Sequence, residues 1–158
     1  MKALLRTQSS LPLLVARVTA GAVILPHGLQ KALGLFGGQG FSATMKAFTE
    51  NLGIPWAFAL LAILAESLGG LGLILGVFAR VAALGVGSVM AVAVVKGGHL
   101  ENGFFMNWFG NQKGEGFEYH LLMIGLCLAV LIGGAGSFSY DRHASSGRGD
   151  LPPAPVGL

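Results

Sequence analysis

Charge is scarce in this sequence. Only 11% of its 158 residues are Asp, Glu, Lys or Arg, while 53% are apolar. A soluble domain needs more polar surface than that, so the bilayer is the natural solvent. Cysteine is nearly absent as well: Cys127 stands alone, which excludes an internal disulfide and a CxxC redox pair. Any redox chemistry must therefore borrow its electron carrier. Basic runs are missing too. The formal net charge is +3, yet the ten Lys and Arg are scattered singly, and a nucleic-acid interface needs a basic patch. No HxxxH or ExxH pair places two ligands on one helix face, so no metal site is expected. Nothing local marks axial haem ligation. No glycine cluster follows a strand and opens a helix, as a phosphate loop requires.

What is present is a set of long apolar runs. The length fits one domain, and the first run covers about residues 11–33, enough to cross ~30 Å of hydrocarbon. Pro12 suits its first turn. Lys2 and Arg6 before an apolar stretch, with Ala20-Gly21-Ala22 after it, could be mistaken for a cleaved signal. Arg17 interrupts that stretch and apolar residues continue to Leu25, so a retained helix is expected. Residues 35–54 are rich in glycine and polar groups, and Phe41 to Leu52 can form a short amphipathic helix at the interface. Further spans are expected over about 55–75, 81–95 and 117–133. The loop 96–116 carries Phe104, Phe105, Trp108 and Phe109, aromatic residues typical of the interface. A flexible polar tail is expected over 142–158, with Pro152, Pro153 and Pro155. The predicted fold is all-α: an integral membrane four-helix bundle over 1–141 with a short interfacial helix between its first two spans.

Four crossings put both termini on one side. Lys2, Arg6, Arg80, Arg142 and Arg148 lie there, against Lys31, Lys46, Lys96 and Lys113 opposite. The small excess favours cytoplasmic termini.

An ionisable group inside a bilayer costs roughly 2.5–3.5 kcal/mol on insertion scales, so it needs a partner, a wet cavity or a function. Glu66 sits near the middle of the second span, with Gly69, Gly72 and Gly76 beside it at 100° per residue as a groove for a neighbouring helix. Arg17, Gly21, Ile24, Gly28 and Lys31 fall on one stripe of the first span, with His27 at its edge. Antiparallel pairing sets Glu66 level with about Val23, within reach of Arg17 on one side and His27 or Lys31 on the other. Three readings follow: Arg17 and Glu66 form a structural ion pair, Glu66 serves ligand binding or proton relay, or it is exposed to lipid. The connectivity gathers His27, Lys31, Lys96, His99, Glu118 and His120 at one end. On the fourth span Glu118 shares a stripe with Leu122, Gly125 and Ala129 and is expected to face inward, with His120 and Cys127 roughly opposite. These polar groups either sit in the headgroup region, as helix ends do, or line a small-molecule pocket.

Weaker patterns carry less. Gly72 and Gly76 have GxxxG spacing, ordinary for packing inside a bundle. Arg148-Gly149-Asp150 looks like an adhesion tripeptide, but chance explains it in a cytoplasmic tail. Cys127, deep in an apolar span, is expected to be inert.

The segments HGLQK at 27–31, LGIP at 52–55, ESLGGLGLILGVFAR at 66–80 and GGAGSFSYD at 133–141 resemble the bacterial DoxX family across nearly the whole chain. The resemblance implies a four-helix inner-membrane protein related to the small subunit of thiosulfate:quinone oxidoreductase. Some members are linked to oxidative-stress complexes. By this analogy Arg17, His27, Gly28, Lys31, Glu66, Gly70, Gly76, Arg80 and Asp141 occupy characteristic positions. The expected function is a subunit or accessory of a membrane redox system, binding a quinone-like or other small molecule for a partner oxidoreductase. The candidate ligand or proton-relay residues are His27, Lys31, Glu66, His99 and Glu118. No intrinsic cofactor is expected, quinone being the one the setting implies, and no motif assigns a catalytic residue. The alternatives are a non-catalytic scaffold subunit, in which buried charges only fix the helix arrangement, and a small-solute transporter. A homo-oligomer is compatible with all three.

Overall fold

A computed structural model describes residue 5 and residues 7–146 of the chain. Lys2, Arg6, Arg148, the Arg148-Gly149-Asp150 tripeptide and the proline-containing end of the expected tail lie outside the described residues. Among the described residues every regular element is a helix. We number these α1 (Leu11–Leu33), α2 (Gly40–Lys46), α3 (Trp56–Leu75), α4 (Ala79–Lys96), α5 (Glu118–Gly133) and α6 (Tyr140–Ser146). α1, α3 and α4 are long and apolar enough to cross a membrane, and α5 is an apolar helix of 16 residues.

The ends of α1 follow from its sequence. The Ser10 hydroxyl accepts from the Leu13 amide at 3.4 Å, and Pro12 occupies the first turn, where its missing N–H costs nothing. At the other end Gly34 takes φ +71° and its amide bonds to Gln30 O at 3.2 Å, a stop that favours glycine. α2 runs directly into a π-helical turn over Ala47–Asn51 and packs against α1 and α3. A second π-helical turn, Ala65–Gly69, lies inside α3 and carries Glu66.

α1, α3, α4 and α5 pack side by side, α1 against α3 and α5, α4 against α3 and α5. The shared core is built from small and medium apolar residues, including Ala20, Ile24, Leu73, Ala83, Val86, Cys127 and Val130. A second cluster, Met45, Ala59 and Ile63, lies under α2. Large apolar side chains such as Val15, Phe58, Leu68, Leu84, Leu122 and Ile132 face outward. At most 33% of the best apolar stretch in each long helix is buried. An outward apolar surface this extensive suits lipid and not water, and the chain is a multi-pass membrane protein.

Charged residues close the fold at the end where α1 and α4 begin and α3 and α5 finish. Arg17 is fully buried. Its guanidinium donates to Leu73 O (2.8 Å), Ile74 O (2.5 Å), Ala135 O (2.7 Å), Ser137 O (3.2 Å) and Phe138 O (2.6 Å). Two of those carbonyls end α3, where no intrahelical donor exists. Arg80 donates to Leu131 O and Ile132 O at the end of α5. The turn between α3 and α4 holds Gly76 at φ +67° and Phe78 at φ +46°. The second is costly for a bulky residue, and the Asp141 carboxylate secures it by accepting from the Phe78 and Ala79 amides, both at 2.8 Å. Asp141 thus comes from the segment after α5 to cap α4, while the carbonyl of Ser137 in the same segment accepts from Arg17. The sequence reading expects an unordered tail from residue 142, but α6 continues to Ser146 because Asp141 anchors its first turn.

Candidate functional site

The opposite end is built differently. α3 and α4 touch mainly from Ala65 onward, so their far halves stand apart. Between them lies a cavity of about 1000 Å³. Phe58, Leu61, Leu68, Val81, Val92 and Ala93 form much of its wall, with Phe48, Leu52 and Ile54 from the connection between α1 and α3. Several of these side chains are also on the outer surface, so the cavity opens sideways toward lipid. Its polar lining comprises His27, Lys31, Glu66, Ser88, Lys96, His99, Glu115, Tyr119 and His120.

Glu66 and Lys31 form the central contact. Lys31 Nζ lies 2.5 Å from Glu66 Oε2, with the two side chains 26% and 4% exposed. The expected pairing of Glu66 with Arg17 is therefore corrected, and the reason is register. A Cβ on Gly28 would stand 2.4 Å from Ser67 N and 2.5 Å from Glu66 C, which places Glu66 level with Gly28 instead of Val23. Five residues shift the contact by roughly 7 Å along the helix axis, toward Lys31 and away from Arg17. Only glycine permits that approach. Gly21 does the same one step along, where a Cβ would meet Gly70 O at 2.6 Å. The expected groove meets a neighbouring helix, since Gly69 and Gly72 face Ala82 of α4, whereas Gly70 faces Ile24 and Leu25 of α1. The π-helical turn explains this, because one extra residue in a turn rotates everything after it relative to a regular 100° spacing. Ser67, inside that turn, donates to Ile63 O at 2.6 Å.

On α5 the expected inward stripe is also corrected. The buried residues are His120, Met123, Cys127 and Val130, whereas Leu122 is among the exposed ones. Glu118 serves the loop: its Oε1 accepts from the Met106 amide at 3.1 Å and from Trp108 Nε1 at 3.3 Å. It does not line the cavity. An apolar helix offers no amphipathic contrast by which to choose its inner face, and Glu118 at the very first position could turn toward the loop.

His27 lies at the cavity wall with its ring centroid 6.3 Å from that of Tyr119. His99 stands 4.1 Å, centroid to centroid, from His120, and its Nδ1 pairs with Glu115 O at 2.9 Å. The structure thus brings together His27, Lys31, Glu66 and His99 and leaves out Glu118 and Arg17. Tyr119 and Glu115 are cavity residues the sequence reading did not single out. Their signal was proximity in sequence to His120. Among the described residues no three His, Cys, Asp or Glu side chains group as a metal-ion cluster.

A wall of this kind can accept an elongated apolar molecule from the bilayer and meet its polar end with a carboxylate, an ammonium, imidazoles and a phenol. Comparison with curated proteins found no match. Comparison with solved structures found none either. The family model for DoxX matches residues 12–99, a stretch from α1 to His99 that contains Arg17, His27, Gly28, Lys31, Glu66, Gly70, Gly76 and Arg80. With more than half of its 158 residues matched and its helices apolar enough for the bilayer, the chain is an integral membrane protein of the DoxX family.

Proposed function

We propose that α1, α3, α4 and α5 all cross the membrane as a four-helix bundle in the cell inner membrane. α2 lies at the interface, and both termini are cytoplasmic. The bundle is a subunit or accessory of a membrane redox system. It binds a quinone-like molecule, or another small molecule with an apolar body and polar head, for a partner oxidoreductase that supplies the electron carrier. One observation carries this reading: the cavity of about 1000 Å³ joins apolar walls opening toward lipid to the half-buried Lys31–Glu66 pair. A lipid-soluble ring or tail would occupy the apolar part. Lys31, Glu66, His27 and His99 would hold the head or relay its protons. Family membership supports a redox setting through the resemblance described above.

The test is retention. Protein purified from its native membrane into nanodiscs should carry quinone or another amphiphile detectable by solvent extraction and mass spectrometry. Glu66→Gln should reduce both the retained amount and activity in a membrane redox assay. Extracts without any such molecule, together with wild-type redox behaviour of Glu66→Gln, would remove the proposal.

The scaffold reading has its own support in Arg17, whose five hydrogen bonds all go to backbone carbonyls. That cluster lies at the end away from the cavity's polar lining. The two readings therefore concern different ends of the molecule.

A further inference from the structure

The Lys31–Glu66 pair is self-satisfied and Glu118 is engaged by the loop, but among the described residues two that line the cavity keep a buried polar atom with no hydrogen-bond partner. Tyr119 and His120 are consecutive, open α5 and line the cavity. His120 is 6% exposed and its Nδ1 is buried without a hydrogen-bond partner. The Tyr119 hydroxyl is buried and unpartnered as well. An unmade bond at a buried polar atom costs ~1–3 kcal/mol. Two such atoms on adjacent residues of one cavity wall need a common explanation.

We infer that the Tyr119 hydroxyl and His120 Nδ1 are the docking points for the oxygens of the ligand's ring head. The inference rests on the proposed function and names the groups that read the head. A phenol both donates and accepts, and an imidazole nitrogen does either according to tautomer. The same two residues can therefore hold a ring oxygen as carbonyl, by donating to it, or as hydroxyl, by accepting from it. A lysine or a carboxylate alone offers only one of these roles at a fixed charge. The site is thus suited to a molecule that keeps its place while its head exists in quinone and hydroquinone forms. The surroundings agree: the His27 ring centroid lies 6.3 Å from that of Tyr119, and the tilted His99 ring lies 4.1 Å from that of His120. The head would lie between the ion pair of α1 and α3 and the first turn of α5.

The experiment titrates the full chain in nanodiscs with decylubiquinone and, separately, with its hydroquinone. Tyr119→Phe and His120→Leu should each weaken both forms by about 2–10-fold, the loss of one hydrogen bond to a neutral ligand. In ligand-free protein the thermal midpoint of Tyr119→Phe should stay unchanged or rise, because no internal bond is lost. Tyr140→Phe, at an exposed residue outside the cavity, serves as the control and should bind as wild type. If wild type binds and both variants bind equally well, the inference is overturned while the proposed function stands. A lowered midpoint for ligand-free Tyr119→Phe also overturns it, since the hydroxyl would then have a structural role. Wild-type protein that binds neither form overturns the inference and, with it, the quinone reading of the proposed function.

Discussion

Glu66 is the one ionisable residue of α3, and Lys31 is its single ion-pair partner among the described residues. Removing one member of a buried pair leaves the other charge uncompensated, which costs ~3–5 kcal/mol, whereas replacing both can be close to neutral. Lys31→Met alone should therefore lower unfolding stability in detergent by about 3 kcal/mol, and Lys31→Met with Glu66→Gln should recover most of it. Equal losses in single and double variants would show that the pair is not the stabilising contact. Arg17 obeys a different rule. Its five N–H donors are matched by five carbonyls, and a lysine cannot reproduce that planar fork. Arg17→Lys should destabilise despite keeping the charge. A double-mutant cycle of Arg17→Gln with Glu66→Gln should be additive within about 0.5 kcal/mol, since the sites share no partner. A large coupling energy would restore the ion pair the sequence suggested.

At the scale of elements, helix approach and helix capping decide the architecture. α1 and α3 meet through Gly21, Gly28 and Gly70, where small residues let backbones touch without a hydrophobic drive between helices. Gly28→Ala forces atoms apart at 2.4 Å from backbone. It should cost ~1–3 kcal/mol as overpacking does and also displace Lys31 from Glu66. Unfolding midpoints and retained ligand should fall together; a fall in stability alone would separate packing from the site. α4 depends on Asp141, which binds the two amides at its start. Asp141→Ala should cost ~0.5–2 kcal/mol, the range for a lost N-cap, with Phe78 left strained.

At the scale of the whole molecule, charged side chains divide by end. Arg17, Arg80 and Asp141 bind backbone at helix termini and turns, while Lys31, Glu66, Lys96 and His99 surround the cavity. With cytoplasmic termini the cavity's polar end faces the opposite side of the membrane, close to the loop between α4 and α5. Lys113→Cys in that loop should then react with a membrane-impermeant maleimide added to spheroplasts. Wild-type Cys127, buried on α5, should stay unlabelled and give a clean background. Labelling of Lys113→Cys only after lysis would reverse the orientation.

Much of this was written in the sequence by itself. Scarce charge and apolar runs determined helices in lipid, because the bilayer accepts no unpaired backbone and few ions. The 17, 21, 24, 28 stripe of α1 likewise emerged as buried. Which base meets Glu66, and which face of α5 turns inward, were decided only by tertiary structure. Register depends on where glycines let two helices touch and on an extra residue in a π turn, and these are properties of a pair of helices in contact. An all-apolar helix such as α5 holds no internal sign of its inner face, so its neighbours had to choose it.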